Sequence, residues 1–439
     1  MSMHLPVVLV FDIGKTNKKA FLFDEDYNIV FEKSEVLPEI KDEDGFPCED
    51  IHALIKWITN CLQDVSRRSD FKIKAINFSA HGASFVHMDE NGKVVAPLYN
   101  YLKPFPEHLK EKFDNDYNLN EVSIQTASPY LGNLNSGLQL YWLKHVKHDV
   151  FKKIRYSIHL PEFLSYLLTK QKVSGMPSIG CHTMLWNFKS HGYHVWVKNE
   201  DIISKLAPIV PSDHTVEIQS NGENIHVGIG MHDSSAALIP YLKNIDKPFI
   251  LISTGTWSIS LNPFNHSELT SDELNKDCLS YLRYDGKPIK ASRLLIGPMH
   301  EEQVSRIAEH FHLDAGFYKS IQFERDMMLP FMEEQNFASH KLEEFSSAQR
   351  AYHVLMQYLV KNQKTSTQLI LDNSAVKEIY VDGGFSANPV YMNLLSREFY
   401  GYKVFGSSIA QASALGAALA IHSKWSTKVS AAPIQTVSY

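Results

Sequence analysis

Four short segments carry residue types that can do chemistry. The first is Phe11-Asp12-Ile13-Gly14-Lys15-Thr16-Asn17. A carboxylate at the end of a buried strand is costly unless something neutralises it, and magnesium, usually through water, is a common partner. Gly14 permits a tight turn, after which backbone amides and the Thr16 and Asn17 side chains can hold phosphate oxygens. The same residues also suit a plain β-hairpin. The second segment, Ile252-Ser253-Thr254-Gly255-Thr256-Trp257-Ser258, repeats the logic of apolar strand, small hydroxyl-rich turn and strand. Two such turns facing one another would grip a polyphosphate from both sides. The third is Gly228-Ile229-Gly230-Met231-His232-Asp233-Ser234-Ser235-Ala236-Ala237. Asp233 there suits a general base for a hydroxyl and equally a helix N-cap. The fourth, Asp382-Gly383-Gly384-Phe385-Ser386-Ala387-Asn388-Pro389, puts paired glycines at a strand end. They allow close backbone approach to a flat ligand, or an ordinary strand-to-helix turn.

The elements that must position these segments follow from periodicity. Residues 7–12 read as a buried strand, with strands over 19–24 and 29–36 and turn chemistry at Asp24–Asn28. Ile51, Leu54, Ile55, Ile58 and Leu62 share one face of a helix over 50–66. Residues 73–79 return as a strand, and 105–170 are mostly helical, including 136–147 and 160–168. A second unit opens near residue 225, with a strand over 225–230 and a helix over 234–242. Strands follow over 249–253 and 257–261, then a long helix over 346–363, a strand over 378–382 and an Ala-rich helix over 410–422. Strand, small-residue turn and strand therefore occur twice, as if one device were used in both halves. Past about residue 424 no periodicity remains, and a loose tail is expected.

The chain has 439 residues, and single cores stop growing near ~250–300, so two domains are the default. The boundaries expected are 1–224, 225–424 and a tail over 425–439. The composition, 44% hydrophobic and 21% charged, is that of a globular protein. A formal net charge of −6 argues against a nucleic-acid partner. Cys48, Cys61, Cys181 and Cys278 are far apart and form no CxxC pair, as for reduced thiols without a zinc site. The 21 histidines show no HxxxH spacing. The first residues lack a basic region and a cleavage site, and no stretch approaches the ~18 apolar residues of a membrane span. A cytoplasmic protein is expected, without membrane or nucleic-acid partners.

The order Asp-x-Gly-x-Thr, Gly-x-His-Asp, Thr-Gly-Thr, Asp-Gly-Gly and then Ala414-Leu415-Gly416-Ala417-Ala418 resembles the FGGY family of carbohydrate kinases, in the actin, Hsp70 and hexokinase superfamily. The resemblance runs from about residue 7 to 421. The stretches 230–237 and 252–259 look most like the rhamnulokinase branch, and Ala80-His81-Gly82-Ala83-Ser84-Phe85-Val86 like the fuculokinase loop. It implies an α/β fold of two actin/hexokinase-like (ribonuclease H-like) domains with an interdomain cleft. It further implies an ATP-dependent kinase that phosphorylates a hydroxyl of a ketose or deoxyketose, of the L-rhamnulose or L-fuculose type.

By that resemblance Asp12 would hold Mg2+, and Gly14, Lys15, Thr16 and Asn17 would line the first phosphate turn. Thr254, Gly255 and Thr256 would form the second. Gly383 and Gly384 would lie under the adenosine of ATP, with Asn388 nearby. Asp233 would be the general base, with His81, Gly82, His232 and Asp233 facing a small sugar. A homodimer is a possible assembly. Three departures stand out. Relatives commonly have a small or hydroxyl residue at the position of Lys15, whose ammonium either reaches the γ-phosphate as a point charge or points to solvent. The segment Pro97-Leu98-Tyr99-Asn100-Tyr101-Leu102-Lys103-Pro104 lacks the Trp-x-Asp-x-Arg pattern of many relatives. The chain is also short between about 262 and 345. The alternative reading is a catalytically silent sugar- and nucleotide-binding regulator with the same fold.

Overall fold

The run Val7-Val8-Leu9-Val10-Phe11 has no polar face, so its strand must be covered on both sides. The computed structural model, which describes residues 4–220, 222–328, 336–371, 375–409, 411–428 and 434–439, shows how. Strand β1 (Leu5–Ile13) sits inside a sheet with β2 (Asn17–Phe23), β3 (Ile29–Val36), β4 (Phe71–Ala80), β5 (Thr215–Ser220) and β6 (Glu223–Gly228), ordered β5-β6-β4-β1-β2-β3. The two-residue β7 (Met231–His232) also pairs with β4. Val7, Leu9, Phe11 and Ile13 pack on helix α1 (Ile51–Ser66). Asp50 caps that helix by accepting from the amides of His52 and Ala53. Val8 and Val10 face the other way, into the middle of the molecule.

A second sheet is ordered β10-β11-β9-β8-β12-β13-β14. Its strands are β8 (Phe249–Thr254), β9 (Ser258–Asn262), β10 (Cys278–Leu282), β11 (Pro288–Leu294), β12 (Glu378–Gly383), β13 (Lys403–Ser408) and β14 (Gln435–Ser438). In each sheet the first strand pairs antiparallel with a second, and the second antiparallel with a third. The first strand also runs parallel to a later one, β4 or β12. The device expected from the sequence is thus used twice. Helices α2 (Ser136–Val146) and α3 (Leu160–Thr169) belong to the first half. Helices α5 (Gly297–His310), α6 (Ala348–Leu371) and α7 (Pro389–Glu398) cover the outer face of the second sheet.

Between the sheets lie α4 (Asp233–Asn244) and α8 (Ala412–Ala420). One apolar cluster joins Val8, Val10 and Phe21 of the first sheet, Phe249 and Leu251 of the second, and both helices. The helices cross closely: a Cβ on Gly416 would lie 1.8 Å from the carbonyl oxygen of Ala236. Asn77 of β4 donates to the Ala417 carbonyl (2.7 Å) and accepts from the Gly230 amide (3.1 Å), fixing both helices to the first sheet. A second seam forms where edge strand β10 meets the first half, with Leu282 N donating to Gly180 O (2.9 Å) and Ser280 N to Ala127 O (3.0 Å).

Two expectations are corrected. The strand placed at 225–230 does not open the second unit; as β6 it pairs parallel with β4 and belongs to the first sheet, so a boundary at 224/225 would cut that sheet. The tail is not wholly loose, because Gln435–Ser438 pairs with β13 as an edge strand. The segment 105–170 is mostly helical, as expected, and also contains a strand, Tyr156–His159, paired with Phe85–Met88. Both are four residues long, too short to show an alternation of their own. The expected start of the Ala-rich helix at 410 lies outside the described residues.

Two stability measurements follow. Gly416→Ala should destabilise the protein by about 2 kcal/mol or more, because a backbone carbonyl cannot move aside as a side chain would. An unchanged urea midpoint would show that the helices have room. Glu162 is buried on α3 with Oε1 accepting from Gly175 N (3.0 Å), and burial pushes its carboxyl up to about 8 from an ordinary 4.5. A folded-state value above the unfolded one favours folding fully below pH ~4.5, and the advantage is lost as pH rises toward ~8. Glu162→Gln should therefore show a smaller fall in Tm between pH 5 and pH 8 than the parent; equal falls would refute it.

Candidate active site

The first turn closes where Gly14 N donates to Asn17 O (3.0 Å). Thr16 and Asn17 are exposed on it. Lys15 turns aside to Glu39 (2.7 Å) at the surface. Asp12, two residues before the turn's start, is partly buried and accepts from Ser413 Oγ (2.9 Å) in the first turn of α8. Its carboxyl is pushed up to about 6, by burial first and the nearby Asp233 carboxylate second, against the Ser413 hydrogen bond. Two carboxylates thus share a site with little positive charge between them.

Asp233 is the first residue of α4, not its N-cap; His232 is the N-cap and makes no capping bond with its side chain. The carboxylate, 32% exposed, accepts from its neighbour Ser234 N (2.6 Å) and lies 3.2 Å from His232 Nε2. The helix N-terminus favours its charge. Burial lowers His232 below its ordinary value, against the Asp233 carboxylate beside it, which favours a neutral ring at that contact. Gly82 makes room for that ring: a Cβ there would meet His232 Cδ2 at 2.7 Å. Beside it, His81 Nε2 contacts Glu49 Oε2 (2.8 Å), and Glu49 Oε1 accepts from Lys18 Nζ. Burial would raise the Glu49 carboxyl, but His81 and Lys18 outweigh it and hold it at about 2. Tyr101 stands edge-on to His81, and burial, Glu49 and then Asp233 raise its hydroxyl, which places it in the same site.

The second turn joins two strand ends. Thr254 Oγ1 donates to Asp382 O (2.5 Å) and accepts from Phe385 N (3.0 Å), so its hydroxyl braces the turn. Gly255 and Thr256 are its exposed members. Gly383 has φ +84, and a Cβ on it would lie 1.8 Å from Thr254 O; Gly384 beside it is open. Asn388 caps α7, accepting from Tyr391 N (3.0 Å) and donating to Tyr352 Oη (2.7 Å), so its amide is committed to the protein. The start of α5 abuts the turn, with Gly297 N donating to Thr256 O (3.0 Å). Helix α4 touches both groups: Asp233 opens it, and Tyr241, about 12 Å further along at 1.5 Å per residue, bonds Ser407 and Asp382.

The profile of the FGGY family of carbohydrate kinases, N-terminal domain, matches residues 7–239, and that of the carbohydrate kinase FGGY C-terminal domain matches 246–429. The chain belongs to the FGGY family of carbohydrate kinases. It is 22% identical over 236 residues to a rhamnulokinase of Halalkalibacterium halodurans, covering 50% of this chain and 48% of that one. To an L-fuculokinase of Haemophilus influenzae it is 21% identical over 293 residues, covering 60% and 59%. The matched part therefore spans about half the length of these curated relatives. Among solved structures, a carbohydrate kinase from Novosphingobium aromaticivorans superposes with a TM-score of 0.79 at 20% identity, over 99% of this chain and 94% of that one. A xylulose kinase from Lactobacillus acidophilus gives 0.77 at 16%, over 96% and 89%. The fold is the two-domain actin/hexokinase-like α/β fold.

Within this FGGY chain, Lys18, Glu49, Tyr101, Gly297 and Ser413 join the site without having been singled out from the sequence. Lys18 had a signal: on β2 it shares a face with the fully buried Ala20 and Leu22. Glu49 and Tyr101 had none, since each lies in an irregular stretch brought in by tertiary packing. Lys103, where relatives carry an Arg-containing pattern, is held by Asp42 (2.6 Å) and Asp44 (2.7 Å).

Gly383→Ala should destabilise by about 2 kcal/mol or more, through positive φ and the Thr254 carbonyl together. Gly384→Ala, one residue on in open space, should stay within about 0.5 kcal/mol. Equal effects in thermal melts would contradict the geometry.

Proposed function

We propose that this protein is an ATP-dependent sugar kinase that transfers the γ-phosphoryl of MgATP to a hydroxyl of a ketose or deoxyketose. The observation that carries the reading is the pairing of Asp12 and Asp233. They come from a strand end and a helix start far apart in sequence, and they act on one another electrostatically. A regulator that only binds ligands needs neither carboxylate, let alone both at the cost of mutual repulsion.

The residues present fit a magnesium ion bound through phosphate. Among the described residues no group of three or more His, Cys, Asp or Glu could hold a metal by itself. Mg2+ in such sites takes one or two carboxylates, several waters and substrate phosphates, and Asp12, raised by burial and then by Asp233, is the carboxylate offered. The ion would neutralise charge on the phosphates when bound. The first turn around Gly14, Thr16 and Asn17 would hold phosphate oxygens, and Gly255 and Thr256 would do so from the other side, with the start of α5 behind them. Gly383 and Gly384 would face the adenosine. Lys15 and Asn388 drop out of direct contact in this reading, because Glu39 and Tyr352 occupy their polar atoms.

Asp233 would accept the proton of the attacking hydroxyl, held by the Ser234 amide and left a third exposed for access. Phosphoryl transfer needs positioning and charge neutralisation more than covalent help. His81 and Tyr101 would line the sugar subsite with polar groups that carry no net negative charge. The rhamnulokinase and L-fuculokinase names of its relatives favour a deoxyketose.

The test is ADP release with MgATP over a panel of ketoses, deoxyketoses, aldonates and polyols. One sugar should accelerate it, and Asp233→Asn should lower kcat by about 10²–10⁴-fold while the Kd for ATP stays within a few-fold. Near-normal kcat in that variant would remove Asp233 as the base, and no acceleration by any sugar would remove the kinase reading.

A further inference from the structure

Lys18 is an unusual residue to find beneath a phosphate turn. It is 2% exposed, yet its ammonium does not face outward. It donates to the carbonyls of Gly14 (2.7 Å) and Lys15 (3.0 Å), and its third bond goes to Glu49 Oε1. All three donors of the ammonium are thereby used, two on the turn and one on a carboxylate. The other oxygen of that carboxylate, Glu49 Oε2, meets His81 Nε2 at 2.8 Å. Glu49 and His81 are each 8% exposed. One buried chain of contacts thus runs from the backbone of the first turn to the imidazole of the loop beside Asp233.

The chain also decides which nitrogen of His81 faces the carboxylate. An ionised carboxylate only accepts, so Nε2 must carry the hydrogen. In the neutral ring Nδ1 is then an acceptor. Nδ1 is buried and meets no partner among the described residues, and its ring lies beside Tyr101. A buried acceptor without a partner is costly, and a ligand hydroxyl would relieve it. The main-chain amide of His81 also donates to Ile13 O (3.3 Å), at the end of the strand that feeds the turn.

We propose that Lys18 and Glu49 are positioning residues: they hold His81 as the Nε2–H tautomer, with Nδ1 kept as a hydroxyl acceptor for the sugar, and they tie that loop mechanically to the phosphate turn. The proposal rests on the kinase reading for the identity of the two ligands. Its consequence is positive coupling, since ordering either end of the chain prepares the other for its ligand.

The test uses the full-length protein. In Glu49→Gln the amide has one carbonyl oxygen, which Lys18 claims, and its NH2 is left facing His81. The ring proton must then move to Nδ1, turning an acceptor into a donor. Nitrogen-15 NMR of the imidazoles should show the Nε2–H tautomer for His81 in the parent and the Nδ1–H tautomer in Glu49→Gln, with His81→Gln identifying the signal. In kinetics, KM for the accepted sugar should rise at least about tenfold in Glu49→Gln, with KM for ATP changing less than about threefold. Lys18→Met should abolish the coupling: the sugar Kd, which should tighten about fivefold or more when a non-hydrolysable ATP analogue is bound to the parent, should become indifferent to it. If Lys18→Met does not fold, the double variant Lys18→Met/Glu49→Gln, which buries no unpaired charge, takes its place. A parent His81 protonated on Nδ1, or coupling that survives loss of Lys18, would overturn the proposal. Because the tautomer is read without turnover, its outcome stands apart from the kinase reading, which fails only if no sugar is phosphorylated.

Discussion

The close crossing of two short helices is the constraint on which the rest depends. Helices α4 and α8 meet with Gly416 against the carbonyl of Ala236, at a separation that no side chain could occupy. A glycine inside a helix costs about 0.5–1 kcal/mol relative to alanine, so its place here is a packing requirement. The crossing lets both sheets lay apolar faces on one narrow layer, as Val8 and Val10 do from one side and Phe249 and Leu251 from the other. It also sets the chemistry. Helix α4 starts at Asp233, and the first turn of α8 carries Ser413, the hydrogen-bond donor to Asp12.

Around that axis the two turns are braced in different ways. The first is held from below by a charge, Lys18, which bonds its carbonyls. The second is held by neighbouring backbone: Gly383 lies against Thr254, and Gly297 bonds Thr256. Both arrangements leave the threonine side chain of the turn, Thr16 or Thr256, exposed, and both place a helix start, α4 or α5, near the turn. Favourable fields for an anion thus come from each half of the molecule.

Two buried imidazoles stand beside carboxylates. Burial lowers His232, whose Nε2 lies 3.2 Å from Asp233. His81 meets Glu49 through Nε2, and its Nδ1 has no partner among the described residues. Lys103 and Lys15 are cations satisfied by acids outside this cluster.

Local order was legible in the sequence because it is written in neighbouring residues. The strand–turn–strand units at 7–24 and 249–262, the helix over 51–66 and the glycine pair at 383–384 follow from apolar periodicity and turn chemistry. Their order along the chain identified the family. Asp12 and Asp233 could be singled out as carboxylates at element ends, although a cap and a base could not be told apart there. The folded chain speaks against the cap, because a cap is a matter of one residue's register, and the helix begins at Asp233 rather than after it. Tertiary structure also decided which partners Lys15, Lys18 and Asn388 take. A side chain's partner depends on atoms dozens of residues away, such as Glu39, Glu49 and Tyr352, and no local pattern carries that information. The sequence by itself determined which groups stand at the ends of the strands; only the folded chain, by bringing two such ends and a helix start together around a glycine, decided which of them act on one another.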